Sequence, residues 1–266
     1  MPLRSIGVFD SGVGGLTVAA ALRRRLPSEH LIYLGDLARL PYGTKSAATV
    51  ERYALQAGKF LAGFDIKMLV VACNTASAHG LAALRAAHPD LPILGVVEAG
   101  AEAAARLTKT GGIVVAATEG TCAAEAFPKS LYARRSDIRV LQIPCPLFVA
   151  LAEEGITEGP LADTVIRHYL AAAFGDHDND TLVLGCTHFP LLTNALRTAL
   201  GTKPAFADCA AAVADQAAEV LSVHRLAAPD RSGMLRLLAT DSAARFRTLA
   251  ERLVPDLAGE VERVDL

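Results

Sequence analysis

Short apolar runs that end in a polar tip and lead into a helical segment constrain this chain more than any other feature. Met68-Leu69-Val70-Val71-Ala72 runs into Cys73-Asn74-Thr75, and Thr181-Leu182-Val183-Leu184 runs into Gly185-Cys186-Thr187-His188. Each run is short, rich in leucine or β-branched residues and closed by polar residues. That is how strands buried on both faces of a parallel sheet read. Strand, tip and helix recurring at this spacing imply parallel βαβ units.

Read in order, strands are expected at about Ser5–Phe9, Leu31–Leu34, up to Ala72, Ile93–Val97, Ile113–Ala116, Arg139–Gln142, Thr181–Leu184 and Leu235–Ala239. Helices are expected from after Thr17 to Leu26, at Ala47–Leu61, Ala76–Ala87, Ala99–Leu107, from Thr121 toward Tyr132, around Glu153 and Glu154, at Pro160–Ala173, beyond Pro190, and at Ala243–Leu253 capped by Asp241 or Ser242. The pattern restarts near Ala99. Asp10-Ser11-Gly12 after one strand is echoed by Thr118-Glu119-Gly120, and Cys73-Asn74-Thr75 is echoed by Cys186-Thr187-His188. A length of 266 residues allows two domains of ordinary size. The expectation is an α/β protein of two similar parallel-sheet domains related by pseudo-symmetry, with the active site in the cleft between them. The first domain would be discontinuous, 1–97 plus 209–266, and the second 98–208.

Hydrophobic residues make up 52% and tryptophan is absent, so the core must be built from many Ala, Val and Leu side chains. No apolar run reaches the length of a membrane span. Met1-Pro2-Leu3-Arg4 leads straight into the first strand, which leaves no room for a signal peptide and points to a soluble, cytoplasmic protein. The net charge is −2, and the densest basic cluster, Arg23-Arg24-Arg25, reads as a solvated helix end rather than a nucleic-acid surface. Five cysteines, widely spaced and without a C-x-x-C pair, argue against a disulfide framework.

Ligands of parallel α/β sheets bind at the carboxyl ends of strands. Asp10, Ser11, Cys73, Asn74, Thr118, Cys186, Thr187 and His188 all fall there. Cys122, Cys145 and Cys209 lack comparable polar company and read as structural. Cys73 and Cys186 have hydrogen-bonding neighbours and stand near expected helix N-termini, where amide dipoles favour thiolates. Bare spacing leaves several chemistries open. Cys73, Cys186 and His188 could supply three metal ligands, though in no common zinc spacing. A Cys/His hydrolase leaves one thiol without a task, and a redox couple needs the sulfurs within bonding distance. Acid–base inversion of a stereocentre accounts for the pair, because it needs a base on one face and an acid on the other, with roles exchanged in reverse. Gly12, Gly14 and Gly15 do not form G-x-G-x-x-G, since Thr17 takes the sixth place, and no P-loop Lys follows. The amides of such a helix start suit a substrate carboxylate.

Five segments together resemble the glutamate racemases of the aspartate/glutamate racemase superfamily. They are Val8-Phe9-Asp10-Ser11-Gly12-Val13-Gly14-Gly15-Leu16-Thr17, Pro41-Tyr42-Gly43, Ala72-Cys73-Asn74-Thr75-Ala76-Ser77-Ala78, Ala117-Thr118-Glu119-Gly120-Thr121 and Gly185-Cys186-Thr187-His188-Phe189-Pro190-Leu191-Leu192. The resemblance implies two α/β domains around a central site, no pyridoxal phosphate, no metal and a homodimer. It implies interconversion of D- and L-glutamate, with Cys73 taking the α-proton from the D enantiomer and Cys186 from the L. Asp10 would assist Cys73, while His188 and Glu153 would assist Cys186. Substrate contacts would come from Asp10, Ser11, Tyr42, Gly43 and Asn74 on one side. Thr75, Thr118, Thr121, Thr187 and His188 would supply the rest, with helix capping the competing reading for Thr118 and Thr121. D-Glutamate made this way serves bacterial peptidoglycan synthesis. Leu37, Phe189 and Cys122 depart from the residues usual in the family, and none of these departures removes a catalytic group. An aspartate racemase, or a non-catalytic amino-acid-binding protein on the same fold, are the alternatives.

Overall fold

The computed structural model describes residues 4–175, 178–229, 232–257 and 259–266; Met1, Pro2 and Leu3, set against the first strand above, lie outside it. The first half runs β1 (Ile6–Asp10), α1 (Leu16–Arg25), β2 (Leu31–Gly35), α2 (Ala47–Ala62), β3 (Met68–Val71), α3 (Asn74–Ala87), β4 (Ile93–Gly95) and α4 (Val96–Leu107). There follow β5 (Gly112–Ala117), α5 (Glu119–Ala123), α6 (Ala126–Tyr132), β6 (Arg139–Pro144), α7 (Pro146–Glu153) and α8 (Pro160–Phe174). Then come β7 (Asn179–Gly185), α9 (Thr193–Leu200), β8 (Ala205–Asp208) and α10 (Cys209–Val223). The tail adds β9 (Leu235–Ala239), α11 (Ala243–Leu253) and β10 (Val261–Arg263).

Two all-parallel sheets result, ordered β10-β9-β2-β1-β3-β4 and β6-β5-β7-β8. The run β2-β1-β3-β4 has the same connectivity as β6-β5-β7-β8, so the echo in sequence is an echo in topology. The tail extends only the first sheet, through β9 on β2.

Period-two alternation is hidden inside the apolar runs and now becomes visible. Ile6, Val8, Leu31, Tyr33, Met68 and Val70 face one core together with Ile113, Val115 and Val183 of the other sheet. The intervening positions Phe9, Leu34, Leu69 and Val71 face a second core under α2 and α3, and Val114, Ala116, Leu182 and Leu184 a third under α7, α8 and α9. Helices α1, α4 and α10 therefore form a shared layer between the sheets, with α10 packed on both of the others. Among the described residues no helix is long and apolar enough to cross a membrane.

Several expectations need correction. The strand expected to Val97 stops at Gly95, because Val96 and Val97 turn into the shared core as the first turn of α4, where Ser77 Oγ accepts the Val97 amide. The helix expected from Thr121 to Tyr132 is two, broken at Glu125 with φ 55°. Pro128 cannot donate to a carbonyl four residues back, so a new helix starts at Ala126 and places it in the first turn. Ser242 precedes α11 in a left-handed conformation without a side-chain cap, and Asp241 Oδ1 takes its amide instead. Arg25, in the basic end of α1, pairs with Asp215 of α10.

At the opposite end of the first sheet, Lys67 and Glu29 form a buried pair with Nζ 2.5 Å from Oε2. Lys67 also donates to the Leu226 carbonyl and Glu29 accepts the Ala228 amide, so the pair pins the connection from α10 to β9. Lys67→Met should lower unfolding free energy by about 3–5 kcal/mol in urea titrations, since it leaves a buried carboxylate without its cation.

Candidate active site

In both sheets the chain leaves the first strand for one neighbour and returns on its other side, so the order reverses there. The crevices lie at the carboxyl ends of β1 and β3, and of β5 and β7. Asp10 ends β1 and Cys73 follows β3, while Thr118 follows β5 and Cys186 follows β7.

On the first side, Asp10 is fully buried and its Oδ2 accepts the Gly12 amide at 2.9 Å. Burial raises its pKa, against the opposing pull of His188 and of the Gly12, Gly15 and Ser11 amides. Gly15 is required by space alone, because a Cβ there would stand 2.4 Å from Asp10 Cβ. Cys73 caps α3, with Sγ 3.4 Å from the Ala76 amide and 3.5 Å from Ser11 Oγ. The expected thiolate-favouring effect of this helix end is outweighed. Burial first, then the charge of Asp10, push Cys73 up to about 12 despite the Ser11 and Ala76 hydrogen bonds.

On the second side, Cys186 Sγ lies 3.7 Å from His188 Nδ1, and His188 Nε2 lies 3.4 Å from Glu153 Oε1. Glu153, at the end of α7, is thus the carboxylate against the imidazole. Arg252 of α11 holds its carbonyl at 3.0 Å, and Arg245 Nη2 is 3.9 Å from its Oε2. Burial disfavours the imidazolium, but hydrogen bonding to Cys186 and Glu153 and the charges of Cys186 and Asp10 outweigh it and raise His188 to about 10. His188 in turn holds the Glu153 carboxyl below its ordinary range, with Arg245 adding to the effect. The helix expected beyond Pro190 is α9, and a 3-10 turn at Phe189–Leu192 separates it from Cys186.

The two tips meet across the cleft. The hydroxyls of Thr75, Thr118 and Thr121 form a triangle with sides of 3.0, 3.0 and 2.9 Å. Thr118 also caps α5 through the Thr121 amide, so capping and cleft lining coexist. Tyr42 is buried, and Gly43 approaches Thr118 so closely that a Cβ would lie 2.8 Å from Thr118 Cβ. Asp10 Oδ1 and Asn74 Oδ1 are buried without a hydrogen-bond partner among the described residues, two acceptors of the kind an ammonium group needs. Ser11 stands by Cys73, and Thr187 by Gly14. Cys122, Cys145 and Cys209 are free and buried, with Cys145 donating to the Ile143 carbonyl and Cys209 to that of Leu184.

Sequence reasoning missed Thr17 and the purpose of the glycines. Thr17, the residue that spoils the dinucleotide pattern, donates to the Thr187 carbonyl at 3.1 Å and ties α1 to the second tip. A Cβ on Gly14 would lie 2.6 Å from His188 Cε1 and 2.7 Å from Nδ1, so this glycine makes room for the imidazole. Gly14→Ala should displace the imidazole, costing about 1–3 kcal/mol of stability through overpacking and about 100-fold in any turnover that uses His188; steady-state kinetics beside unfolding curves checks this.

Residues 16–217 match the Asp/Glu/Hydantoin racemase family. Over its full length the chain is 43% identical to a glutamate racemase of Geobacter metallireducens, covering 98% of that protein. A crystal structure of a Bacillus anthracis glutamate racemase superposes with a TM-score of 0.94 at 36% identity, over 99% of this chain and 98% of that one. Glutamate racemase from Francisella tularensis, solved with D-glutamate, gives 0.92 at 33% identity, over 100% and 98%.

Proposed function

We propose that this chain, which belongs to the Asp/Glu/hydantoin racemase family, interconverts L- and D-glutamate by moving the α-proton between Cys73 and Cys186 without a cofactor. The observation that carries the reading is two thiols at equivalent strand ends, each beside its own titratable group: Asp10 near Cys73, and His188 against Cys186. A metal site or a one-thiol hydrolase leaves that symmetry without a purpose.

In the D-to-L direction Cys73 is the base and Cys186 protonates the opposite face; the L-to-D direction exchanges the roles. Cys73 rests as a thiol, so it must lose its proton before it takes one. Asp10, whose own affinity for protons is raised by burial, is the acceptor at hand. On the other side His188 exchanges protons with Cys186, and Glu153 holds the imidazole turned toward it. The unpartnered Asp10 and Asn74 oxygens receive the substrate ammonium, and the Thr75, Thr118 and Thr121 hydroxyls with nearby helix-start amides receive carboxylate. Ser11, Tyr42, Gly43 and Thr187 complete the wall. Fixed donors around a developing negative charge lower the barrier to α-proton removal.

Within this reading the protein is a cytoplasmic homodimer that supplies D-glutamate for peptidoglycan synthesis. Circular dichroism of purified protein with each enantiomer of glutamate and aspartate, no cofactor added, tests it. Decay of the glutamate signal from either side is expected. Faster decay with aspartate would transfer the assignment to aspartate racemisation, and no decay with either would end both.

A further inference from the structure

One buried charge near the cleft has no part in the proton transfer. Asp36 follows β2 at the same carboxyl end of the sheet as Asp10, its amide donating to the Asp10 carbonyl at 3.0 Å, and its side chain is fully buried. A carboxylate is buried at this depth only when donors surround it. Oδ2 accepts from Arg39 Nε at 2.6 Å and from the Tyr42 hydroxyl, and Oδ1 accepts from Thr240 Oγ1 at 2.8 Å. Thr240 comes from the C-terminal segment, just after β9. Its amide is held by the Gly35 carbonyl and its hydroxyl takes the Ala38 amide.

The Tyr42 ring lies between Phe9 and Tyr53, at centroid distances of 6.1 and 5.6 Å. Ring packing sets its plane, and the hydroxyl bond to Asp36 sets how far it reaches. The next residue, Gly43, makes the close approach to Thr118, and Gly120 in turn has no room for a Cβ beside the Gly43 carbonyl. The Tyr42–Gly43 turn is therefore packed too closely on the opposite tip to admit a Cβ at one end and is tied to Asp36 at the other.

We propose that Asp36 is a positioning residue for glutamate binding: its buried carboxylate, held by Thr240, fixes Tyr42 and seats the Tyr42–Gly43 turn against the Thr118 tip where the substrate is gripped. The inference deepens the proposed function and rests on it. Asp36 acts through Tyr42 and touches no reacting atom, so its loss weakens binding more than proton transfer. An asparagine keeps the shape but cannot accept from Arg39 and Tyr42 with the charge they now meet.

The test uses the full-length chain carrying Asp36→Asn, Thr240→Val or Thr240→Ser. D-Glutamate Kd is measured by calorimetry, and KM and kcat by circular dichroism. Expected are a rise of about tenfold in Kd and KM for Asp36→Asn with kcat within about threefold of native, a rise of about threefold for Thr240→Val, and native values for Thr240→Ser, which keeps the hydroxyl. A merely structural role would lower the active fraction and the unfolding midpoint without this split. Unchanged Kd and KM in Asp36→Asn overturn the inference, as does a fall in kcat alone. Should Asp36→Asn not fold, unchanged binding in Thr240→Val does the same. A native chain that does not bind glutamate instead brings down the functional reading, and this inference with it.

Discussion

Replacing either Cys73 or Cys186 by serine is expected to lower racemisation about 10³-fold or more in both directions, within the range a positioned acid or base contributes. A hydroxyl matches the thiol in shape but is far too weak an acid to yield its conjugate base near neutrality. Both positions are small and buried, so the fold should survive the change. In the proposed mechanism each turnover uses both thiols, one to take the proton and one to give it, so neither variant should retain one direction. The double variant should be scarcely worse than either single one, because groups that act as a unit are not additive. A one-thiol mechanism predicts a different outcome, with one serine variant near native activity. Circular dichroism started from each pure enantiomer, with urea unfolding as the control, separates the two.

The second large effect is expected at His188. His188→Asn should reduce turnover about 100-fold, since in the proposed mechanism Cys186 loses the neighbour with which it exchanges protons. The pH dependence carries the sharper sign. His188 is raised from 6.5 to about 10, against burial, by hydrogen bonding to Cys186 and Glu153 and by the charges of Cys186 and Asp10. The imidazolium thus persists through neutrality and is lost as pH passes about 10. Native activity should fall on that alkaline side, and the variant should lack this limb. Stability follows the same linkage. A group whose pKa is raised on folding stabilises fully below its unfolded value, and the effect disappears as pH rises through the folded one. The stability advantage of native protein over His188→Asn should be full below pH 6.5 and decline toward about 10. Urea midpoints at several pH values measure it.

The polar tips were legible because apolar strands end abruptly, and a parallel sheet puts such ends where ligands bind. The connectivity that repeats in the two sheets was visible as recurring tips, and the Cys186–His188–Glu153 arrangement followed from spacing and resemblance. Other parts left little trace. Helix α10, Cys-Ala-Ala-Ala-Val-Ala-Asp-Gln-Ala-Ala-Glu-Val-Leu-Ser-Val, went unassigned together with β8. Its alanines show weak amphipathic contrast because the helix packs within a layer covered by sheets on both sides. Thr17 looked like a defect in a nucleotide motif, whereas its partner lies 170 residues away. The Asp36–Thr240 bond spans 204 residues, and nothing local marks Asp36 as more than a turn residue. The level of the Cys73 thiol was also beyond spacing: a helix N-cap reads the same whether or not burial and a neighbouring carboxylate overwhelm it.

The central claim is one thiol for each face of the substrate, and the fate of the α-hydrogen in heavy water tests it most directly. Starting from pure D-glutamate, both enantiomers are recovered at low conversion and their α-deuterium is read by mass spectrometry. If Cys73 removes a proton from one face and a deuterated Cys186 delivers to the other, the L product should carry deuterium while residual D substrate keeps protium. The mirror result should hold from the L side. Protium carried into the product, or deuterium appearing equally in product and residual substrate at the earliest times, would contradict the account.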